Sequence, residues 1–210
     1  MIEQHPEFTS IISDWALAEQ MFELKLEHLP KKTLFIPSGL TSIAAELAES
    51  KPGAVCADAI YGLSSFELEK RTADIMRDAG LECDRRHCDP QMISFWQRVR
   101  DAFWLDFQTG KNAGRYVAYQ DILKLPFKDG EFNLACCAGV LIEDQTAILN
   151  LIKELLRIAH EVRLFPELLA GENLKQNLVS VLLVLQQQDF GVELHANAML
   201  RIWSKTCVVI

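Results

Sequence analysis

Four short stretches place groups capable of ligand chemistry just after apolar, strand-like runs. The first is Pro37-Ser38-Gly39-Leu40-Thr41-Ser42. Its glycine permits a tight turn and close approach to a ligand, and its three hydroxyls can either cap a helix or bind that ligand. The second is Asp58, 19 residues beyond Gly39. A carboxylate so placed can accept two hydrogen bonds from vicinal ribose hydroxyls, or cap the helix that follows. The third, Asp121-Ile122, offers a side-chain oxygen and an adjacent backbone N–H that suit the edge of an adenine. In the fourth, Ala138-Gly139-Val140, small residues leave room for a ligand. The glycine turn matches neither G-x-G-x-x-G nor G-x-x-x-x-G-K-[ST], so it supports neither a nicotinamide dinucleotide nor a nucleoside triphosphate.

Other reactive residue types give weaker patterns. The stretch Cys83-Asp84-Arg85-Arg86-His87-Cys88-Asp89 holds ligand types that suit zinc. It has no C-x2-C spacing and no second half elsewhere, so it reads as a polar turn and no metal is expected. Cys56, Cys136, Cys137 and Cys207 lie in apolar runs, where free cysteine behaves as a small hydrophobe. His160 and His195 are candidate bases. His160 is expected to close a helix, where its partial charge is welcome, and His195 falls in a C-terminal hairpin; both read as structural.

In open α/β sheets a ligand lies beyond the carboxyl ends of the strands, near the point where strand order reverses. The elements needed for such a site are present. Apolar runs at 33–37, 54–58, 115–119, 132–138 and 161–166 read as strands buried on both faces, as in a parallel sheet covered by helices. Helical stripes fall around them: Ile11, Trp15, Ala18, Phe22 and Leu29; Ile43, Leu47 and Ala48; Ile148, Leu151, Ile152, Leu155 and Ala159; and Leu174, Leu178, Val181, Leu182 and Leu185, stopping before Gly191. Strand-like pieces at 192–195 and 199–204, split only by Ala196-Asn197-Ala198, permit only an antiparallel hairpin. The expected fold is a doubly wound, Rossmann-like α/β sheet, mostly parallel, with an antiparallel last strand.

The 57 steps from Asp58 to Arg115 exceed one crossover helix. Helices are predicted at 64–79 and about 92–108. The second clusters Phe95, Val99, Phe103, Trp104 and Phe107 on one side, as a packing face over the sheet edge or as a lid or substrate wall.

Composition narrows the partners. The 210 residues are 50% hydrophobic and carry 29 acidic against 21 basic side chains, a formal charge of −8. This disfavours general nucleic-acid binding, which needs a basic face. No apolar run approaches the ~20 residues that span a bilayer. The opening MIEQHPEF lacks the basic and apolar regions of a signal peptide, so a cytoplasmic location is expected.

The stretches 121–141, DILKLPFKDGEFNLACCAGVL, and 153–166, KELLRIAHEVRLFP, resemble the second half of class I S-adenosylmethionine-dependent methyltransferases. The first half is similar to an uncharacterised bacterial group of them. The matching residues are Leu34-Phe35-Ile36-Pro37-Ser38-Gly39, Asp58-Ala59-Ile60-Tyr61, Asp106-Phe107, Gly110-Lys111, Gly114-Arg115-Tyr116-Val117-Ala118 and Ala198-Met199-Leu200-Arg201-Ile202. The resemblance spans roughly residues 30–203 and implies the seven-stranded class I methyltransferase sheet. It further implies S-adenosylmethionine as cofactor, with S-adenosylhomocysteine as product. Ser38 and Gly39 would lie against its methionine part, Asp58 on the ribose hydroxyls, Ala59 and Ile60 under the adenine, Asp121 and Ile122 at the adenine edge, and Ala138 at the methionine end.

Residues 1–30 are expected to form a helical extension packed on a domain of residues 31–210, with a helical insertion at about 84–112. The chain departs from the family pattern at Phe35, where an acid is usual, at Asn133, where strand four usually opens with an aspartate, and at Ala138-Gly139, where the group carries a serine-histidine pair. The hairpin before Met199 is also shorter than the group's. The expected function is methyl transfer to an unidentified, small-molecule acceptor. In-line attack on a sulfonium methyl proceeds by positioning and desolvation, so no catalytic residue is assigned. The alternative is a degenerate methyltransferase fold acting as a binding or scaffolding module with a protein partner.

Overall fold

The computed structural model describes residues 13–78, 90–139, 145–165, 172–188, 190–197 and 199–205. Its strands are β1 (Thr33–Ile36), β2 (Ala54–Ala57), β3 (Tyr116–Val117), β4 (Phe132–Ala138), β5 (Ala159–Phe165), β6 (Phe190–Leu194) and β7 (Leu200–Ser204). Its helices are α1 (Trp15–Met21), α2 (Ile43–Glu46), α3 (Ser65–Asp78), α4 (Pro90–Asn112), α5 (Gln145–Ile158) and α6 (Glu172–Gln187). The strands form one seven-stranded sheet in the order β3-β2-β1-β4-β5-β7-β6. Pairings among β1 to β5 are parallel, and β7 runs antiparallel to both β5 and β6. This is the class I methyltransferase arrangement that the resemblance implied.

Two cores result from the alternation of side chains along buried strands. On one face Phe35, Cys56, Leu134 and Cys136 pack with Ala18, Ile43, Val99 and Phe103 from the helices and with Phe22, Leu40 and Tyr61 from the turns beside them. On the other, Leu34, Ile36, Ala135, Cys137, Val162 and Ile202 meet Leu151, Ile152 and Leu155 of α5 and Val181 and Leu185 of α6. The adjacent Cys136 and Cys137 thus face opposite cores as free, buried thiols. Burial pushes the Cys56 and Cys137 thiols up to about 12, which keeps them protonated and inert.

Several boundaries differ from the periodicity. Helix α1 stops at Met21, and Leu29 follows a separate 3-10 turn, because Glu23 turns the chain with a left-handed φ of 50°. The helix after the glycine turn is only four residues long. The third strand shrinks to two residues. Ala159 begins β5 instead of ending a helix, which places His160 in a strand and removes the helix-end reason for its charge. Gly191 lies within β6 instead of preceding it. A β-carbon there would collide with the Trp203 indole, so glycine is what lets the indole cover the neighbouring strand. The predicted 92–108 helix extends over Pro90–Asn112 and buries Val99, Phe103 and Phe107, with Phe95 and Trp104 packed beside them. The 83–89 cysteine stretch, residues 84–89 of the expected insertion, Val140, Pro166, Ala198 and Cys207 lie outside the described residues.

Candidate functional site

Strands β1 and β4 are neighbours, whereas the chain continues from β1 to β2 on the other side. Strand order therefore reverses between β1 and β4, and a crevice is expected beyond their carboxyl ends. All eight candidate residues fall at that end of the four adjacent strands β3-β2-β1-β4. Ser38 and Gly39 follow β1, Asp58 to Ile60 follow β2, Asp121 and Ile122 come after β3, and Ala138 ends β4.

The centre is a stitched turn. Gly39 adopts φ 53°, a region that side-chain-bearing residues avoid. Its N–H donates to Asp58 Oδ2 at 2.7 Å, and its carbonyl accepts from the Tyr61 hydroxyl at 2.6 Å. The Ser38 N–H donates to the Ala57 carbonyl at 3.1 Å. Ser38 Oγ lies 3.1 Å from that carbonyl and 2.9 Å from the Tyr61 oxygen. Asp58 Oδ1 accepts from the Ile60 N–H at 3.0 Å, capping the 3-10 turn over Ala59–Gly62. Ser38 and Tyr61 are fully buried and Asp58 nearly so. Burial raises the Asp58 carboxyl above its usual range, against the pull of the Ile60 and Gly39 N–H groups. Burial, then the nearby Cys56 and Asp58, raises the Tyr61 phenol, which remains a donor.

The N-terminal segment closes the other side of the turn. The Ser13 carbonyl accepts from the Ser42 N–H at 2.9 Å and from Thr41 Oγ1 at 3.1 Å. Ser42 Oγ is shared between that carbonyl and Glu46, whose other oxygen accepts from the Trp15 N–H at 3.3 Å. The Thr41 and Ser42 hydroxyls, read from sequence as caps or ligand contacts, are thus engaged with residues of the chain itself. Asp14 caps α1 through the Leu17 N–H and stands 3.6 Å from the Arg98 guanidinium. Arg98 in turn lines an open pocket with Pro90, Gln91, Ser94 and Phe95 on the first turns of α4.

The remaining candidates are more dispersed. Asp121 is exposed and its carboxylate accepts from the Leu123 N–H at 2.8 Å, forming its own turn. Ile122 is buried in the second core, Ala59 packs beside that core, and Ile60 packs against the first. Ala138 is fully buried. His195 pairs with Glu23 at 2.8 Å, a structural role far from the turn in sequence. Among the described residues, no three His, Cys, Asp or Glu side chains form a group that could hold a metal, and no helix is long and apolar enough to cross a membrane.

Tyr61 is the participant to which residue types alone assigned no role. A tyrosine among apolar neighbours must find a partner for its hydroxyl, and that was the available signal. The Ser13 contact is made by a backbone carbonyl and leaves no trace in residue types. Several of the residues that carried the group resemblance, from Asp106 to Tyr116, gather around Tyr61. Its ring stands 5.7 Å from Phe107 and 5.3 Å from Tyr116, and its backbone carbonyl accepts from Lys111 Nζ at 2.8 Å. Arg115 pairs with Asp106, and Gly110 makes room for the Tyr116 ring.

No protein-family model matches the sequence. Among solved structures, the chain is similar to a candidate S-adenosyl-L-methionine-dependent methyltransferase of Methanococcus maripaludis, with 15% identity, coverage of 90% of this chain and 84% of that one, and a TM-score of 0.48. It is similar also to precorrin-6y C5,15-methyltransferase of Geobacter metallireducens, with 12% identity, 98% coverage of each chain and a TM-score of 0.45. In sequence it is 31% identical over 170 residues, 73% of its length and 75% of the relative's, to the uncharacterized protein MJ0045 of Methanocaldococcus jannaschii. With that extent of identity on a class I methyltransferase sheet, the chain belongs to the family of the MJ0045 protein.

Proposed function

We propose that this chain is an S-adenosylmethionine-dependent methyltransferase acting on a small-molecule acceptor. The observation that carries the reading is the pairing of Asp58 with the positive-φ Gly39, at 2.7 Å, where strand order reverses. Each Asp58 oxygen accepts one backbone N–H. A carboxylate has about four acceptor sites, so both oxygens keep a lone pair for vicinal ribose hydroxyls, and the residues present fit the cofactor. When bound, the cofactor supplies an electrophilic methyl group. This chain's contribution is to bind and orient: Ser38 and Gly39 against the methionine part, Asp58 on the ribose, Ala59 and Ile60 below the adenine, Asp121 and Ile122 at its edge, and Ala138 at the methionine end. A nearly dry carboxylate forms stronger hydrogen bonds than an exposed one, which favours the ribose contact.

Calorimetric titration with S-adenosylmethionine and S-adenosylhomocysteine tests this. Micromolar binding is expected, weakened at least tenfold by Asp58→Asn and severalfold by Asp121→Ala. Asp121 is exposed, so its variant probes the adenine edge without a burden on folding. Absence of binding at millimolar ligand by chain shown to be folded would sink the reading.

A second reading is a methyltransferase-fold module that binds a protein partner without catalysis. Two observations favour it. Phe35 is a fully buried core side chain, and the Ser38 hydroxyl is already engaged by Ala57 and Tyr61.

A further inference from the structure

We propose that Tyr61 is a positioning residue that sets the conformation of the 38–42 turn and, through it, the affinity of the cofactor site. The second half of this inference rests on the methyltransferase reading; the first does not. Glycine at φ 53° has no side chain to restrict its two flanking peptide planes, and either can rotate at small steric cost. Each plane is pinned by one side chain. Asp58 takes the N–H of the Ser38–Gly39 peptide at 2.7 Å, and Tyr61 donates to the carbonyl of the Gly39–Leu40 peptide at 2.6 Å. The phenol oxygen also meets Ser38 Oγ at 2.9 Å, so one atom addresses both Ser38 and Gly39.

A pin is effective only if it is itself immobile. The Tyr61 ring is stacked on Phe103 at 6.1 Å and edged by Tyr116 at 5.3 Å. Its backbone carbonyl is held by Lys111, whose ammonium lies 5.4 Å from the centre of the Phe107 ring. Three of these four neighbours belong to α4 and the fourth to β3. The long helix inserted between β2 and β3 thereby acquires a task beyond covering the sheet: it anchors the residue that shapes the turn.

The test compares wild type with Tyr61→Phe, which keeps the ring and removes the hydroxyl, and with Ile202→Val, a small core deletion on the opposite face. Amide hydrogen exchange is read over residues 38–42 in the unliganded chain, and S-adenosylhomocysteine is titrated calorimetrically. Tyr61→Phe is expected to accelerate exchange in 38–42 about tenfold, with exchange in the second core unchanged. Affinity is expected to fall about tenfold. Ile202→Val should change neither turn exchange nor affinity. Unchanged exchange in 38–42, or acceleration spread evenly over both cores, overturns the pin. Faster turn exchange with undiminished affinity overturns the link to the cofactor. If wild type binds no nucleoside, the methyltransferase reading fails, and the exchange rates still decide whether Tyr61 holds the turn.

Discussion

Asp58 and Glu161 are both carboxylates drawn out of water by the same sheet, and opposite means hold them there. Asp58, at the strand-order reversal, accepts from dipoles, the N–H groups of Gly39 and Ile60. Glu161, on β5, accepts from two guanidiniums, Arg163 Nε at 2.8 Å and an Arg201 terminal nitrogen at 2.9 Å. Arg201 also reaches Glu193 at 3.3 Å and lies 5.3 Å over the Trp203 ring. Burial raises the Asp58 carboxyl. At Glu161 burial raises too, but the hydrogen bonds and charges of Arg201 and Arg163 outweigh it, and the carboxyl ends below its usual range. A buried acid without a counter-charge retains attraction for a cationic or hydroxyl-bearing ligand. A neutralised one has spent that attraction on the fold.

The largest expected difference is in stability. Asp58→Ala orphans two backbone donors and should cost about 3 kcal/mol by chemical denaturation. Glu161→Ala leaves partly solvated arginines and should cost about 1 kcal/mol; a reversed order would undo the comparison. Next, Gly191→Ala forces a β-carbon against Trp203 and should cost about 2 kcal/mol, with the loss confined to the β6–β7 edge in hydrogen exchange.

Acidity should separate the two carboxylates by sign. The folded state holds the Asp58 proton more tightly than the unfolded chain, so its contribution to stability falls as pH rises from the ordinary carboxylate range through the raised folded value. Glu161 is the reverse: its contribution is present above the ordinary range and is lost as pH falls through the lowered folded value. Thermal midpoints measured across this range should lose the first slope in Asp58→Asn and the second in Glu161→Gln. The smallest effect is that of salt. Raising it from about 0.05 to 0.5 M should weaken the Glu161–Arg201–Glu193 group by a few tenths of a kcal/mol and leave the turn untouched. Arg201→Gln should abolish that sensitivity.

The centre of the sheet was legible because strands buried on both faces, as β1 is, have no polar alternation, and the run at 132–138 matched β4 residue for residue; β5, read the same way, instead alternates, with Glu161 and Arg163 only partly buried. The hairpin was legible from its short connection. Boundaries set by a single tertiary contact were not: Gly191 reads as a helix stop until Trp203 is placed opposite it. At the site, the reversal point could be inferred from strand order, and with it the end of the sheet where Gly39 and Asp58 meet. Their direct hydrogen bond depends on a backbone turn that residue types do not encode. Asp121 shows the other limit, since an aspartate that satisfies its own turn looks in sequence like one awaiting a ligand.

The contacts around α1 also carry a consequence in time. Ser13 meets Thr41 and Ser42 only 28 and 29 residues along the chain. The carbonyls of Met21 and Phe22, at the other end of the helix, wait for Asn197 and Arg163, 176 and 141 residues away. Closing such long loops is slow relative to local pairing. During synthesis the helix can therefore dock early beside the glycine turn but stays half-tethered until β7 and its hairpin emerge. A pause in translation between residues 42 and 163 would leave the Met21 and Phe22 carbonyls without these partners while the other end of the helix is already paired.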